Sequence, residues 1–420
     1  MGRVAPVEQE EVMGRRTVKS AGVLVAGAAL ALGGVAAGPA GAAPAPSHHA
    51  FSAAASSFVG ADTVSQKVQR LEAALAATPR LAAAYDVKPL WDKGTNGAGV
   101  TVATLVSYGD ADIQSVIDSY DQRNGLPKAT VQVISPVGHV PGCHDAGVDT
   151  ATCQSWGGET DLDVEMIHTL APGAKIVVAA TPVAETEGIT GLPEMMQAVD
   201  YMTTNKVADI ISMSFGTAED NFDSHSQITG LDPAFQRASA AGVTLTASSG
   251  DSGATNHTVS GGYWNKRTAS WPAADPNVTA VGGTESVRNA PSTVLWPDSG
   301  GGLSSVYSRP SWQNGVAGTT KSTMRSFPDI TMEGTSGTSE ASPLFAGVLA
   351  LAVQAKGGRL GQVDNALYTG KLAGIVDVTS GNNSFNGVTG FSAAKGFDIV
   401  SGWGTVDAAK FVPSLVAALH

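Results

Sequence analysis

Residues 334–343 read GTSGTSEASP, and the chain runs on as LFAGVLALAVQA through residue 355. Gly-Thr-Ser occurs twice here, and only the second copy, Gly337-Thr338-Ser339, has a proline four residues after its serine. From Ser339 onward nearly every residue is small or apolar, which predicts a helix buried on all sides. A serine at the head of such a helix either caps free backbone amides or acts as a nucleophile near amides that can hold a developing negative charge. Ser336, in the first copy, reads as a loop residue.

Upstream, short apolar runs alternate with helical patterns. Strands are expected at 99–106, 174–180, 208–216 and 243–250, and at ATVQVIS (129–135). Helices are expected at 110–123, 159–171, 192–205 and 233–242. This alternation implies an α/β fold, a mostly parallel central sheet with helices on both faces. In such sheets chemistry gathers beyond the carboxyl ends of the strands. One such end, Ser214-Phe215-Gly216, is expected to line a substrate pocket. Another, SSGDSG (248–253), carries Asp251 in a tight turn.

Composition narrows the partners. With 25 basic and 37 acidic residues the net charge is −12. That excludes a cationic surface for nucleic acid and suits an acidic environment. Residues 1–42 read as a signal peptide, with Arg15-Arg16, an apolar run near 21–37 and a small-residue site at Ala40-Gly41-Ala42. Twin-arginine and general export both remain open, and Met13 is an alternative start. The apolar run is short for a membrane anchor. Residues 43–77 read as a small-residue linker followed by a short helix at 62–76. Cys143 and Cys153, the only cysteines, lie ten residues apart in a Gly/Asp-rich region and read as a local disulfide in an exported chain.

A nucleophilic Ser339 needs a base. Subtilisins use a similar Gly-Thr-Ser…Pro helix, but their histidine and aspartate motifs are missing. His48, His49 and His420 lie in the linker or at the last residue, His139, His144, His225 and His257 lie in loop sequence, and His168 is inside a helix. GGETDLDVEMIHTLAPGAKIVV (157–178) offers something else. Glu159 and Asp163 are four apart and share one helix face, beside a buried stripe of Leu162, Met166 and Leu170. Two carboxyls at this spacing can hold one proton between them. Asp161 and Glu165, on other faces, read as acidic residues complementing the helix dipole.

Taken together, Glu-x-x-x-Asp before APGAKIVV, SSGDSG, WPAADPNVTAVGGT, GGGLSSVYSRPSWQ, FPDI and SGTSEASP resemble, in order, segments of the sedolisins, or serine-carboxyl peptidases, over most of residues 78–408. The resemblance implies a subtilisin-like fold, Ser339 as nucleophile, Glu159 as base supported by Asp163, and Asp251 as donor to the oxyanion. A carboxyl can do this last job only while protonated. It also implies one structural Ca²⁺ held by Asp377, Val378, Ala394, Gly396 and Asp398 in segment 374–404; Asp carboxylates with backbone carbonyls in a polar loop suit that hard cation. Ala394 stands where the family usually has glycine.

The sequence departs from the family in three places: residues 43–77 leave no room for the usual prodomain, the TMEG segment after FPDI is short, and Val106 replaces a common acidic residue. The implied function is a secreted, acid-active, monomeric endopeptidase acting on proteins or peptides, free of the membrane once its signal is removed. The alternatives are a weakly active secreted peptide-binding protein of the same fold and a subtilisin-type serine peptidase.

Overall fold

Seven strands make one parallel sheet: β1 (Thr101–Ser107), β2 (Thr130–Ile134), β3 (Lys175–Thr181), β4 (Ile210–Met213), β5 (Thr244–Ser248), β6 (Thr279–Thr284) and β7 (Ile330–Glu333). Their order is β7-β6-β5-β4-β1-β3-β2, and every neighbouring pair is parallel. This computed structural model describes residues 78–286 and 290–419. The expected signal peptide, linker and helix at 62–76 lie outside them. Among the described residues no helix is long and apolar enough to cross a membrane.

Burial explains the apolar runs. Strands β4, β5 and β6 are buried at every position, as parallel strands covered on both faces should be. Only β2, at the sheet edge, is largely exposed. The main helices are α1 (Ile113–Asn124), α2 (Thr150–Leu170), α3 (Leu192–Thr204), α4 (Asp232–Ala240), α5 (Thr338–Lys356) and α6 (Ala408–Ala418).

The observed elements fall within a few residues of those expected, with two informative differences. The expected strand 208–216 pairs in the sheet only over 210–213. After it, Thr217–Ala218 leaves to pair antiparallel with Ser270–Trp271. Helix α2 begins nine residues before the expected start at Glu159. Gly157-Gly158 reads as a break, because glycine disfavours helix interiors. Capping and packing override it: the Asp149 side chain accepts from the Thr152 amide at the helix head, and Trp156 is buried just before the glycines.

Helix α5 is buried continuously from Thr338 to Val353 and packs against α2. At their crossing Gly347 permits the approach, since a Cβ there would meet Leu170 Cβ at 3.1 Å and the Ile167 carbonyl oxygen at 3.2 Å. Pro343 sits inside α5 and has no amide hydrogen, so it cannot bond the Ser339 carbonyl four residues earlier. Ser214 Oγ approaches that carbonyl oxygen at 3.4 Å. One turn along, Ser342 Oγ meets Ser212 Oγ at 3.0 Å and Thr246 Oγ1 at 3.1 Å, tying the helix to β4 and β5 through buried hydroxyls.

The fold also buries carboxyl groups widely. Burial pushes Glu165, Asp275 and Glu340 up to about 8 each. Groups raised in this way hold protons in the fold that the unfolded chain releases above about pH 4. Their contribution is therefore present below that pH and is lost as pH rises through the folded values. Melting temperature is expected to be highest near pH 4 and to decline steadily to pH 8. Thermal unfolding across that range checks this, and a maximum near neutrality would contradict the assignment.

Candidate active site

Ser339 is the second residue of α5 and lies at the base of a cleft beyond the carboxyl ends of the strands. Glu159 faces it from α2. Both are almost completely buried, and Asp163, one turn behind Glu159, is fully so. Asp163 accepts hydrogen bonds from Ser214 Oγ (2.7 Å, Oδ1) and from Thr104 Oγ1 (Oδ2). Glu159 Oε1 has no hydrogen-bond partner.

These surroundings set the charges. Burial, reinforced by the negative charge of Asp163, holds the Glu159 carboxyl well above its usual range, while the Ser339 hydroxyl works in the other direction. Burial pushes Asp163 up to about 7, opposed by Thr104, Ser214 and Glu159. The two therefore share protons across the acid range rather than ionising independently.

Asp251 closes the other side. Its Oδ1 accepts from the Thr338 amide at 2.7 Å and from Thr338 Oγ1 at 2.8 Å. Its carboxyl is pushed up to about 6, chiefly by burial and also by repulsion from Asp298, although the Thr338 bonds pull it down. Gly337 makes this approach possible. Its φ is +97°, and a Cβ there would lie 2.8 Å from Asp251 Oδ2. The glycine of the second Gly-Thr-Ser is thus required twice over, by backbone conformation and by space.

Phe215 and Gly216 line the cleft, together with Ser248, Asn256 and Ser270. Ser214 does not. It is buried and its hydroxyl points at Asp163, so it holds the carboxylate pair instead of facing a substrate. Asp161 and Glu165 also differ from expectation: both are buried. The longer α2 places Glu159 nine residues past Thr150, so none of these acidic groups lies in the first turn and the dipole account falls away. Thr104 and Thr338 were not foreseen. Thr104 passes in sequence for a β-branched strand residue, and its only signal is polarity inside an otherwise apolar run.

Among the described residues no histidine is hydrogen-bonded to Ser339 or lines its cleft. His168 is fully buried on α2 with Nε2 at 3.1 Å from Asp121 Oδ1 and 2.9 Å from the Pro127 carbonyl. His257 packs on Tyr263. His139, His144 and His225 are exposed. Cys143 and Cys153 form a disulfide with Cα atoms 5.3 Å apart. Cys153 lies within α2 rather than in a loop, so the bond ties the preceding loop to the helix head.

In the C-terminal segment, Asp377 Oδ2 accepts from the Gly396 amide and Asp398 Oδ2 from the Ala394 amide, each at 2.8 Å. The two carboxylates thus converge on residues 394–396, while Val378 is buried beside Asp377. Asp377 Oδ1 is buried without a partner. No group of three or more His, Cys, Asp or Glu suited to a metal occurs among the described residues, so a cation here would need backbone oxygens as well.

Comparison with known proteins agrees with this architecture. The subtilase family model matches residues 96–370. Sedolisin from Pseudomonas sp. (strain 101) is 31% identical over 74% of this chain and 57% of its own length. Kumamolisin from Bacillus sp. (strain MN-32) is 30% identical over 77% of this chain and 61% of its own length. The chain thus spans little more than half the length of these relatives. A solved structure of Pseudomonas sedolisin, a serine-carboxyl proteinase complexed with two molecules of pseudo-iodotyrostatin, superposes with a TM-score of 0.65 at 27% identity, covering 81% of this chain and 97% of that one.

The Ser214 hydroxyl stabilises the charged form of Asp163, so its removal should keep the proton on the pair to higher pH. In Ser214→Ala the lower of the two carboxyl titrations is expected to rise by about one pH unit. Carbon-13 NMR of labelled carboxyl groups measures this without reference to activity, and an unmoved titration would show that the bond carries no electrostatic weight.

Proposed function

The chain belongs to the subtilase family, and from that premise we propose that it is a secreted, acid-active serine-carboxyl endopeptidase of the sedolisin type. The observation that carries the reading is the facing of Ser339 by a buried Glu159–Asp163 pair, with Asp251 across the cleft and every described histidine elsewhere. That no described histidine lines the cleft at Ser339 weighs against a subtilisin-type base. A weakly active peptide-binding protein would have little need of Glu159 and Asp163 buried side by side at the cost their burial carries.

In the proposed reaction Ser339 Oγ attacks the substrate carbonyl carbon and passes its proton to the Glu159 carboxylate. Asp163, sharing the pair's other proton and held by Thr104 and Ser214, keeps Glu159 basic enough to accept. The carbonyl oxygen becomes an oxyanion and accepts a hydrogen bond from protonated Asp251. Collapse expels the amine, which takes the proton from Glu159 and leaves an ester on Ser339. Water then attacks the ester, Glu159 takes the water proton, and return of a proton to Ser339 Oγ releases the acid product. The cleft between Phe215–Gly216 and Ser248, Asn256 and Ser270 would take the side chain preceding the cleaved bond. Export is supported by the signal-like N-terminus and the Cys143–Cys153 bond.

Acid activity follows from Asp251. A neutral carboxyl donates to the oxyanion; an ionised one repels it. Asp251 is protonated below about 6 and loses its proton as pH rises through that value. Peptide cleavage is expected to vanish in Ser339→Ala by several orders of magnitude at every pH. Asp251→Asn supplies a donor that cannot ionise, so its residual activity should extend to higher pH than the parent's, even with a lower maximum. A parent optimum near pH 8, or an unchanged alkaline limb in the variant, would sink the mechanism.

One structural Ca²⁺ is also proposed, held by the Asp377 and Asp398 carboxylates with the carbonyls of Val378, Ala394 and Gly396. The buried, unpartnered Asp377 Oδ1 supports it. The ion would bind the native fold only, adding about 2.7 kcal/mol at a hundredfold excess over its dissociation constant. Chelation should therefore lower the melting temperature and calcium should restore it. An identical melting curve with and without chelator would remove the site.

A further inference from the structure

The loop that presents Ser339 is bracketed by two acidic residues, Glu333 at the end of β7 and Glu340 directly after Ser339. Both are buried. Glu340 Oε2 accepts from the Ser336 amide at 3.0 Å, and the loop closes on itself through Gly337 N–H to the Gly334 carbonyl at 3.1 Å. Glu340 therefore fixes the loop from inside, one residue from the proposed nucleophile. Burial raises the Glu340 carboxyl most, repulsion from Glu333 adds to it, and Arg80 works in the other direction.

Arg80 comes from far away in sequence, in the short helix Thr78–Ala84. Its guanidinium meets Glu333 with both terminal nitrogens, NH1 on Oε2 and NH2 on Oε1. Ser286 Oγ donates to Glu333 Oε1, and the Glu333 amide donates to the Tyr85 hydroxyl. Among the described residues Glu285 also carries charge near Glu333. The arginine helix is itself anchored, with Leu81, Ala84 and Tyr85 buried in the core and the Tyr85 carbonyl accepting from the Ala408 amide.

We propose that Arg80 is a positioning residue for catalysis: its two-pronged grip on the Glu333 carboxylate anchors one end of the loop 334–339 and so holds Ser339 against Glu159. Bidentate arginine–carboxylate pairs add geometric specificity as well as attraction. Without the guanidinium, the buried Glu333 carboxylate loses its two-pronged partner, and the Gly-rich loop between Glu333 and Glu340 is the part free to yield. Small displacements of a reacting group are costly in rate even when the substrate still binds.

This inference rests on the reading of Ser339 as nucleophile, and the experiment separates the two. Full-length chain is compared with Arg80→Met, Arg80→Lys, Glu333→Gln and the double variant Arg80→Met/Glu333→Gln, using one chromogenic peptide at pH 4 with Ser339→Ala as control. Arg80→Met is expected to lower kcat about tenfold or more with KM changed less than about twofold. The double variant, which removes the unpaired charge, is expected to recover most of that loss. A purely structural contribution of the arginine stem would give no recovery. A wild-type kcat in Arg80→Met, or a double variant as slow as the single, overturns the proposal. If Arg80→Met does not fold, Arg80→Lys decides: reduced kcat at unchanged KM is expected, and full kcat overturns it. Activity that survives in Ser339→Ala would instead overturn the parent reading.

Discussion

Two carboxyl groups taken out of water side by side cannot both carry full charge, and the packing of α2 against α5 puts Glu159 and Asp163 in that position. Much else in the site can be understood as management of that constraint. Asp163 receives hydroxyl donors from two different strands, Thr104 on β1 and Ser214 at the end of β4. Glu159 keeps one oxygen, Oε1, without a hydrogen bond. In the proposed mechanism, the proton that the pair retains lets a strongly desolvated group serve as a base in acid.

Helix α5 connects this pair to the rest of the fold. Gly347 lets it lie close to α2, Pro343 leaves the Ser339 carbonyl open to Ser214, and Ser342 joins β4 and β5 through hydroxyls. At its head, Gly337 makes room for Asp251 while Thr338 binds it through both amide and hydroxyl. The residues of the Gly-Thr-Ser-x-x-x-Pro run thus have separate physical duties within one turn or so of helix. They are spaced as they are because each must face a different neighbour.

Acid conditions are expected to favour the fold as well as the proposed chemistry. Asp251 donates only when neutral, and Glu165, Asp275 and Glu340 are buried where neutral forms are preferred. The same burial that perturbs Glu159, Asp163 and Asp251 thus also acts on carboxyls beside and beyond the cleft. An overall excess of acidic residues becomes less self-repelling as protons are taken up, so charge and burial act in the same direction.

The sequence by itself carried the α/β class, the parallel sheet and four of the residues that meet in the cleft. Short apolar runs separated by helical periodicity are local properties, and Glu159 and Asp163 share a face because of helix geometry alone. The spacing of Gly337, Ser339 and Pro343 was likewise legible. What only the tertiary structure decided is which groups face those residues. Ser214 looked like pocket lining because it ends a strand, yet the strand's twist away from the sheet turns it toward Asp163. Asp161 and Glu165 looked like first-turn residues complementing a helix dipole because Gly157-Gly158 masked the true start of α2. Thr104 looked like strand filler, and Arg80 lies 253 residues from the carboxylate it grips. Burial and long-range pairing are properties of neighbours across the fold, and these, rather than residue type, set the charge of a carboxyl and the direction in which a hydroxyl points.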